Sequence, residues 1–408
     1  MRPLLRAAAF AAYTALGCLA APFLFLSPRL RQGWRQRLGL GLPGPCRIWI
    51  QGASAGECQL IQSLMPHLPA VSTLATTCTA QGLSILEKTA AGGPFHPRML
   101  PLDLPPLMYF TLKRIRPAVV VLLETELWPG LLMACAMLRV PVVVLNARMS
   151  SRSLGGYLFL RPLLPPPAAI GAISPGDALR FGLVFGHGRV RVTGNIKFDR
   201  AMNAPLLERR GNPLRHLIPE DDWFVVLGSV REEEEEEAVL ALVRMLRELR
   251  PACIVGLFPR HMHRTGPWME QLAAAGIPAV LRSSLNGPAR PGTVVVWDRF
   301  GELGAAYGLA GRAFVGGSLA RLGGQNFLEP LSQGVLPATG PHTRNFDWVG
   351  PEIFVSLVRK SGDIGTLARE LAAPAPPRTE VRSQAEAYIA ARAGATKASA
   401  SMLGPFLK

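Results

Sequence analysis

The chain has 408 residues, 49% of them hydrophobic and 18% charged, which excludes a disordered or fibrous chain and suits two domains of about 150–200 residues each. Lys plus Arg outnumber Asp plus Glu by 44 to 28, a net charge of +16 that points to anionic partners: nucleic acid, an anionic membrane face or a phosphorylated substrate. The six cysteines (18, 46, 58, 78, 135 and 253) form no CxxC pair and have no His beside them at ligand spacing, so buried free thiols in a reducing compartment are expected.

From Ala7 to Leu26 no residue is charged. Roughly 20 apolar residues span a bilayer as a helix. Arg2 and Arg6 precede the stretch, and Arg29, Arg31, Arg35 and Arg37 follow it, so its C-terminal side is expected to face the cytoplasm. Arginines directly after the segment argue against a cleaved export signal. Pro22 and the many alanines weaken the span and leave an interfacial, monotopic anchor as the alternative. Residues 1–28 therefore read as an anchor on the inner face of a membrane.

A regular alternation follows. The apolar runs RIWIQGA (47–53), VSTLATT (71–77), VVVLLETEL (119–127), VPVVVLNAR (140–148) and AAIGAIS (168–174) are separated by stretches of helix length. Continuous apolar runs are the mark of parallel strands covered on both faces, and their repetition predicts βαβ units. This first domain takes residues 29–202. Residues 203–222, rich in Pro, Asn and charge, read as a linker. A second alternation over 223–383 contains WFVVLGS, CIVGLFPR, TVVVWD, RAFVGGS and VLPATGP, and the Ala-rich tail at 384–408 reads as helical. Two such halves predict two doubly wound α/β domains facing across a cleft, with ligands beyond the carboxyl ends of the strands.

The unusual residues fall at those strand ends. In ASAGE (53–57) small residues permit a sharp strand-to-helix turn, and Glu57 opens the helix either as a general base toward a substrate hydroxyl or as a counter-charge to the helix dipole. In ETELWP (124–129) neighbouring carboxylates alternate faces, so one is expected in the cleft and the other capping or pairing with an Arg. Asn146, Arg148, Ser151 and Arg152 follow the next strand and suit anions or these carboxylates. The loop Pro259–Arg264 carries two guanidiniums fitted to phosphate or carboxylate, whereas His261 and His263 lack a third metal ligand. Asp298–Leu303 forms a turn and helix start, and GPHTRNF (340–346) falls at the cleft rim. The acidic run Glu232–Glu237 reads as a solvated helix face, which leaves Ser229 and Arg231 as the ligand contacts there.

The richest stretch is FVGGSLARLGGQNFLEP (314–330). Its glycines let backbone approach a ligand, and a helix starting near Asn326 would aim free amides at an anion. Asn326 and Glu329 share one face of that helix, the pairing expected for a phosphate and a ribose hydroxyl held together. A tight strand-to-helix turn without a ligand is the alternative.

Taken in order, ASAGE (53–57), ETELWP (124–129), NARMSSRS (146–153), VTGNIKFD (192–199), PRH (259–261), GEL (301–303), FVGGSL (314–319), GGQNFLE (323–329) and GPHTRNF (340–346) resemble the 3-deoxy-D-manno-octulosonic acid (Kdo) transferases of lipopolysaccharide synthesis over nearly the whole globular chain. The resemblance implies the GT-B fold, two Rossmann-like domains across a cleft with an N-terminal membrane-anchor helix. It implies an inverting transfer of Kdo from CMP-Kdo to a lipid A precursor at the cytoplasmic side of the inner membrane. By the same match Glu57 is the general base, and Pro259, Arg260, Phe300, Gly301, Glu302, Asn326, Phe327, Leu328 and Glu329 hold CMP-Kdo, with no metal or other cofactor. Several positions depart from the family pattern: Gln325 stands where a His is expected, Ser229-Val230-Arg231 replaces Ser-Thr-His, SAGE replaces SVGE, and Met262-His263 replaces Pro-Glu. Three rival readings are a membrane-associated GT-B enzyme using a UDP-sugar, a membrane-tethered nucleic-acid binder, which lacks an aromatic-basic stacking motif, and a catalytically dead scaffold.

Overall fold

The computed structural model describes residues 2–24, 31–89, 94–201, 205–220, 223–231 and 233–407. The chain divides into two compact units, Met1–Asp199 with Arg392–Lys408, and Arg200–Ala391. Among the described residues each unit carries a seven-stranded parallel sheet.

The first sheet comprises β1 (Ile48–Gln51), β2 (Thr73–Thr77), β3 (Phe95–Met99), β4 (Val119–Leu123), β5 (Val142–Ala147), β6 (Ala169–Ala172) and β7 (Val190–Val192), in the order β3-β2-β1-β4-β5-β6-β7. The apolar runs form strands because both faces are covered. Trp49, Val120, Leu122 and Val144 belong to one core layer, while Ile48, Ile50, Val121, Leu123 and Leu145 belong to the other, as the two-residue strand period requires. Each such side chain contributes roughly 1.5–3 kcal/mol when fully buried. The chain reverses its direction of winding between β1 and β4, so the crevice beyond their carboxyl ends is the topological switch point.

The second sheet comprises β8 (Phe224–Val230), β9 (Ile254–Pro259), β10 (Ala279–Leu281), β11 (Val294–Val296), β12 (Arg312–Val315), β13 (Pro337–Thr339) and β14 (Arg359–Lys360), in the order β10-β11-β9-β8-β12-β13-β14. Its switch point lies between β8 and β12. Leu214, Leu217 and Ile218, from the stretch read as a linker, are buried in this unit's core. Residues 202–204 and 221–222 of that region lie outside the described residues.

The last residues return to the first unit. Ala395, Ala400 and Leu403 join its core, and the Asp199 carboxylate accepts from the amides of Gly394 and Thr396, both at 2.6 Å. At the other end, the helix Arg2–Leu24 half-buries Phe10, Tyr13, Thr14 and Gly17, positions spaced to share one face. Tyr13 donates its hydroxyl to Asp103 at 3.0 Å. Leu16, Leu19 and Phe23 stay exposed. Among the described residues no helix is long and apolar enough to cross a membrane, so a spanning anchor is not shown. Residues 25–30, including Arg29, lie outside the described residues. Arg37, counted above in the flanking basic cluster, is buried and donates to the carbonyls of Gln32 and Cys78, so its charge does not belong to the surface.

Of the cysteines, Cys46, Cys58, Cys135 and Cys253 are buried free thiols, Cys78 is half-buried and Cys18 is exposed. Burial pushes the Cys58 and Cys78 thiols up to about 11, which keeps them protonated and unreactive.

Candidate functional site

In the first unit the helix Ala55–Leu64 begins directly after β1. Ser54 caps it, and Glu57 closes a capping box: the Ser54 amide donates to Glu57 Oε2 at 2.8 Å, and the Glu57 amide donates to Ser54 Oγ at 3.4 Å. Glu57 therefore serves the helix start, and its carboxylate also lies at the switch point. It is 9% exposed, and burial raises its pKa above the ordinary value. The hydrogen bond from Ser54 opposes that rise, while the Glu124 charge adds to it. Glu126 is pushed up to about 7, by lost solvation first and then by Glu57 and Glu124. Three carboxylates thus lie within electrostatic reach at the carboxyl ends of β1 and β4, and the two with raised proton affinity, Glu57 and Glu126, are the ones suited to accept a proton.

The cation that balances them is not one of the arginines expected. Lys197 Nζ donates to Glu124 Oε1 at 2.8 Å. Lys197 lies in the VTGNIKFD motif yet was not singled out, because nothing local marks it. Asn146, read as an anion or carboxylate contact, instead accepts the Ile196 amide at 2.9 Å through Oδ1 and so positions the Lys197 segment. Thr125 donates to the Arg148 carbonyl and ties the two strand-end loops together.

Backbone strain falls on the same places. Among the described residues five non-glycine residues have positive φ. Arg116 and Arg139 close helices. Of the other three, Glu124 (54°) follows β4 and Ser229 (55°) lies near the end of β8, each beside a switch point, and Asn146 (52°) lies near the end of β5, the strand next to β4. Such conformations cost about 1–3 kcal/mol each and persist where surrounding structure holds them.

In the second unit the glycine loop after β12 differs from expectation. The amides of Gly317, Ser318 and Leu319 donate to the Glu235 carboxylate at 2.6, 2.9 and 3.0 Å, and the Arg231 amide adds a fourth bond at 3.0 Å. Glu235 is fully buried, and Glu236 is nearly so. Glu236 holds Arg264 through two bonds at 2.8 and 2.7 Å and accepts from Gln271 at 2.6 Å. The acidic run is therefore not a solvated face: its third and fourth helical residues point inward. The expectation that the first glycine pair cradles a phosphate is corrected accordingly. Its amides already hold a full negative charge, and a second anion there would be repelled. Glu232 lies outside the described residues.

The following turn presents the polar groups that were expected. Asn326 Nδ2 donates to Glu329 Oε1 at 3.1 Å, and Asn326 Oδ1 accepts the Leu328 amide at 3.1 Å, starting the short helix Leu328–Ser332. Lost solvation raises the Glu329 carboxyl, and Asn326 and the Arg260 charge oppose the rise, which brings Arg260 electrostatically beside Glu329. Phe327 and Leu328 are buried, with Phe327 packed on Phe346 and Phe354 at 4.9 and 5.5 Å between ring centres. Their side chains serve the core, so only their backbone is available to a ligand.

Glu302 is bound by Arg282 at 2.9 and 3.1 Å and by Trp297 Nε1 at 2.7 Å, which fixes its carboxylate below the turn at Gly301. Gly301 has φ 85° and open space where a Cβ would stand, and Phe300 is 79% exposed. Pro259 ends β9, the Arg260 amide donates to the Val230 carbonyl at 2.7 Å, and Arg260 is exposed at the strand end. The rings of His261 and His263 stack 5.7 Å apart. Among the described residues no group of three or more His, Cys, Asp and Glu has the arrangement to hold a metal.

Residues 32–200 match a family model described as 3-deoxy-D-manno-octulosonic-acid transferase (kdotransferase). The chain is 33% identical over 371 residues to the 3-deoxy-D-manno-octulosonic acid transferase of Haemophilus influenzae, covering 86% of this chain and 85% of that protein. It is 32% identical to the Bordetella pertussis transferase of the same name, covering 91% and 90%. Among solved structures, a glycosyltransferase from Rickettsia africae superposes with a TM-score of 0.52 at 10% identity, covering 88% of this chain and 97% of that one, a likeness of fold alone.

Proposed function

The chain belongs to the Kdo transferase family, and from that premise we propose that it moves Kdo from CMP-Kdo to a hydroxyl of a lipid A precursor in lipopolysaccharide biosynthesis. The acceptor oxygen attacks the anomeric carbon of Kdo from the face opposite the phosphate. The bond from that carbon to the phosphate oxygen breaks, and CMP leaves with the electron pair. Glu57 takes the acceptor's proton, and inversion follows from the single displacement.

The observation that carries this reading is the cluster of Glu57, Glu124 and Glu126. A general base works best when its pKa approaches the operating pH. Burial and a neighbouring carboxylate push Glu57 in that direction, and the Ser54 bond orients it. On the donor side, Arg260 beside the Asn326–Glu329 pair supplies positive charge where the departing CMP becomes more negative. Phe300 and Gly301 offer an exposed ring and open backbone to the nucleoside, while Glu302 is held by Arg282 and Trp297. The GT-B arrangement assigns the acceptor to the first unit and the donor to the second.

The same reading places the protein at the cytoplasmic side of the inner membrane. The apolar outward residues Leu16, Leu19 and Phe23 on a helix fastened by Tyr13 favour an anchor lying along the surface over one that crosses it. The net charge of +16 favours an anionic lipid face.

Purified protein incubated with CMP-Kdo and a lipid A precursor is expected to give a product heavier by one or more Kdo residues, read by mass spectrometry. Turnover of a UDP-sugar in place of CMP-Kdo would sink the assignment.

A further inference from the structure

With the first glycine pair occupied by Glu235, a substrate oxyanion needs its cations elsewhere, and the same sheet edge provides them. β13 and β14 end side by side, Thr339 opposite Lys360. The loops that follow β12 and β13 fold over those ends. Between them lies a pocket of about 300 Å³ lined by Arg321 and Gly323 from the first loop, His342, Arg344 and Asp347 from the second, and Lys360 at the end of β14.

The loops around it are tied to one another. The His342 amide donates to the Ser318 carbonyl at 3.0 Å, the Asn345 amide to the Gly323 carbonyl at 2.8 Å, and Asn345 Nδ2 to the Gly324 carbonyl at 3.1 Å. A Cβ on Gly323, whose φ is 90°, would meet the Asn345 side chain at 2.7 Å, so this close approach requires glycine. Lys360 donates to Thr343 Oγ1 at 3.0 Å and sits 4.8 Å from the centre of the Phe354 ring, which holds its ammonium at the pocket. Among the described residues the Arg321 and Arg344 guanidiniums form no ion pair, although Asp347 lines the same pocket. Three cations against one carboxylate, gathered in a concave site, leave an uncompensated positive field. Guanidinium forks match phosphate and carboxylate oxygens in shape.

We propose that this pocket is an oxyanion subsite, distinct from the glycine amides, that takes a phosphate monoester or a sugar carboxylate. The chemistry is shared by two sources under the proposed function: the carboxylate of Kdo on the donor and a phosphate of the lipid acceptor. Only the choice of source rests on that function; anion binding by the pocket does not.

The test compares the full chain with the double variant Arg321→Ala/Arg344→Ala and with Lys360→Met. Inorganic phosphate is titrated by calorimetry at low ionic strength. The double variant is expected to bind it roughly tenfold more weakly or worse, as loss of charge-assisted hydrogen bonds predicts. Lys360→Met is expected to show a smaller loss of the same sign. Unchanged phosphate affinity in the double variant overturns the subsite. KM values then identify the source. A rise in KM for CMP-Kdo with any acceptor assigns the Kdo carboxylate, and a rise confined to a phosphorylated acceptor, absent with its dephosphorylated counterpart, assigns the phosphate. Weakened phosphate binding with every KM unchanged overturns the pocket as a substrate subsite. A wild-type chain that fails to turn over CMP-Kdo refutes the proposed function instead, while the phosphate titration still decides the subsite.

Discussion

Glu57 and Glu235 occupy matching places in the two units. Each lies in the first turn of the helix that follows the first strand of its sheet, and each of those strands borders a switch point. Their surroundings differ. Glu235 accepts four backbone amides and faces no other carboxylate among its bonded partners. Glu57 accepts the Ser54 amide and has its proton affinity raised by burial and by the Glu124 charge, while burial and both of these carboxylates raise Glu126. The same side chain in the same topological position is a structural counter-charge when amides saturate it. It is a candidate base when they do not and like charges crowd it. Asp103 falls between: it accepts the amides of Gly130 and Leu131 and the Tyr13 hydroxyl, yet burial still pushes it up to about 6.

The sharpest way to break this contrast is to neutralise each acid in turn. Glu57→Gln keeps an acceptor for the capping box but cannot take a proton, so kcat is expected to fall roughly 10²–10⁴-fold with CMP binding and melting temperature nearly unchanged. Wild-type turnover in that variant removes Glu57 as the base. Glu235→Ala strands four buried amides and is expected to destabilise the second unit by about 3 kcal/mol or more, read from denaturant unfolding. A loss of under about 1 kcal/mol would mean the glycine loop finds another acceptor.

Next in size is a pH effect. With Glu57 as the proposed base, turnover requires it ionised, so activity is expected to fall on the acid side through an apparent pKa that belongs to the whole cluster. Glu124→Gln removes a charge that raises Glu57 and should move this limb to lower pH, whereas Lys197→Met exposes that charge and should move it higher. Opposite shifts, or none, separate the limb from the cluster. For stability the sign is set by Glu126, raised from 4.5 to about 7. The folded state binds its proton more tightly, so its contribution is present below pH 4.5 and is lost as pH rises through 7. Glu126→Gln should therefore unfold at a higher denaturant concentration relative to wild type at pH 8 than at pH 4, and an equal difference at both pH values contradicts the coupling.

The smallest expected effect is at Asp103. Tyr13→Phe removes one of its three donors and should cost about 1 kcal/mol in the first unit, measured by denaturant midpoint. A larger loss would mean that the whole N-terminal helix detaches.

Much of the fold was legible in the chain. Runs such as VVVLL at β4 become strands because only a doubly covered parallel strand buries every residue, and that pattern survives without any knowledge of neighbours. The place of Glu57 at a helix start was legible too, since ASAGE couples a strand end to a capped first turn within five residues. Sequence reading misplaced Glu235 and Glu236. A run of glutamates carries no periodic contrast between its faces, and the amides that draw Glu235 inward belong to a loop some 80 residues later. Phe327 and Leu328 were grouped with Asn326 and Glu329 as one motif, but adjacent residues on a short turn point apart, two into the core and two outward.

By itself, then, the sequence determined the strands, the two-sheet plan and the family, because these rest on local hydrophobic pattern and on motifs read in order. Only the tertiary structure decided which acid is saturated by amides, which cation answers Glu124, and which basic residues gather in one pocket. Those outcomes depend on groups far apart in the chain, and the charge state and reactivity of a carboxylate depend on the few ångströms around it.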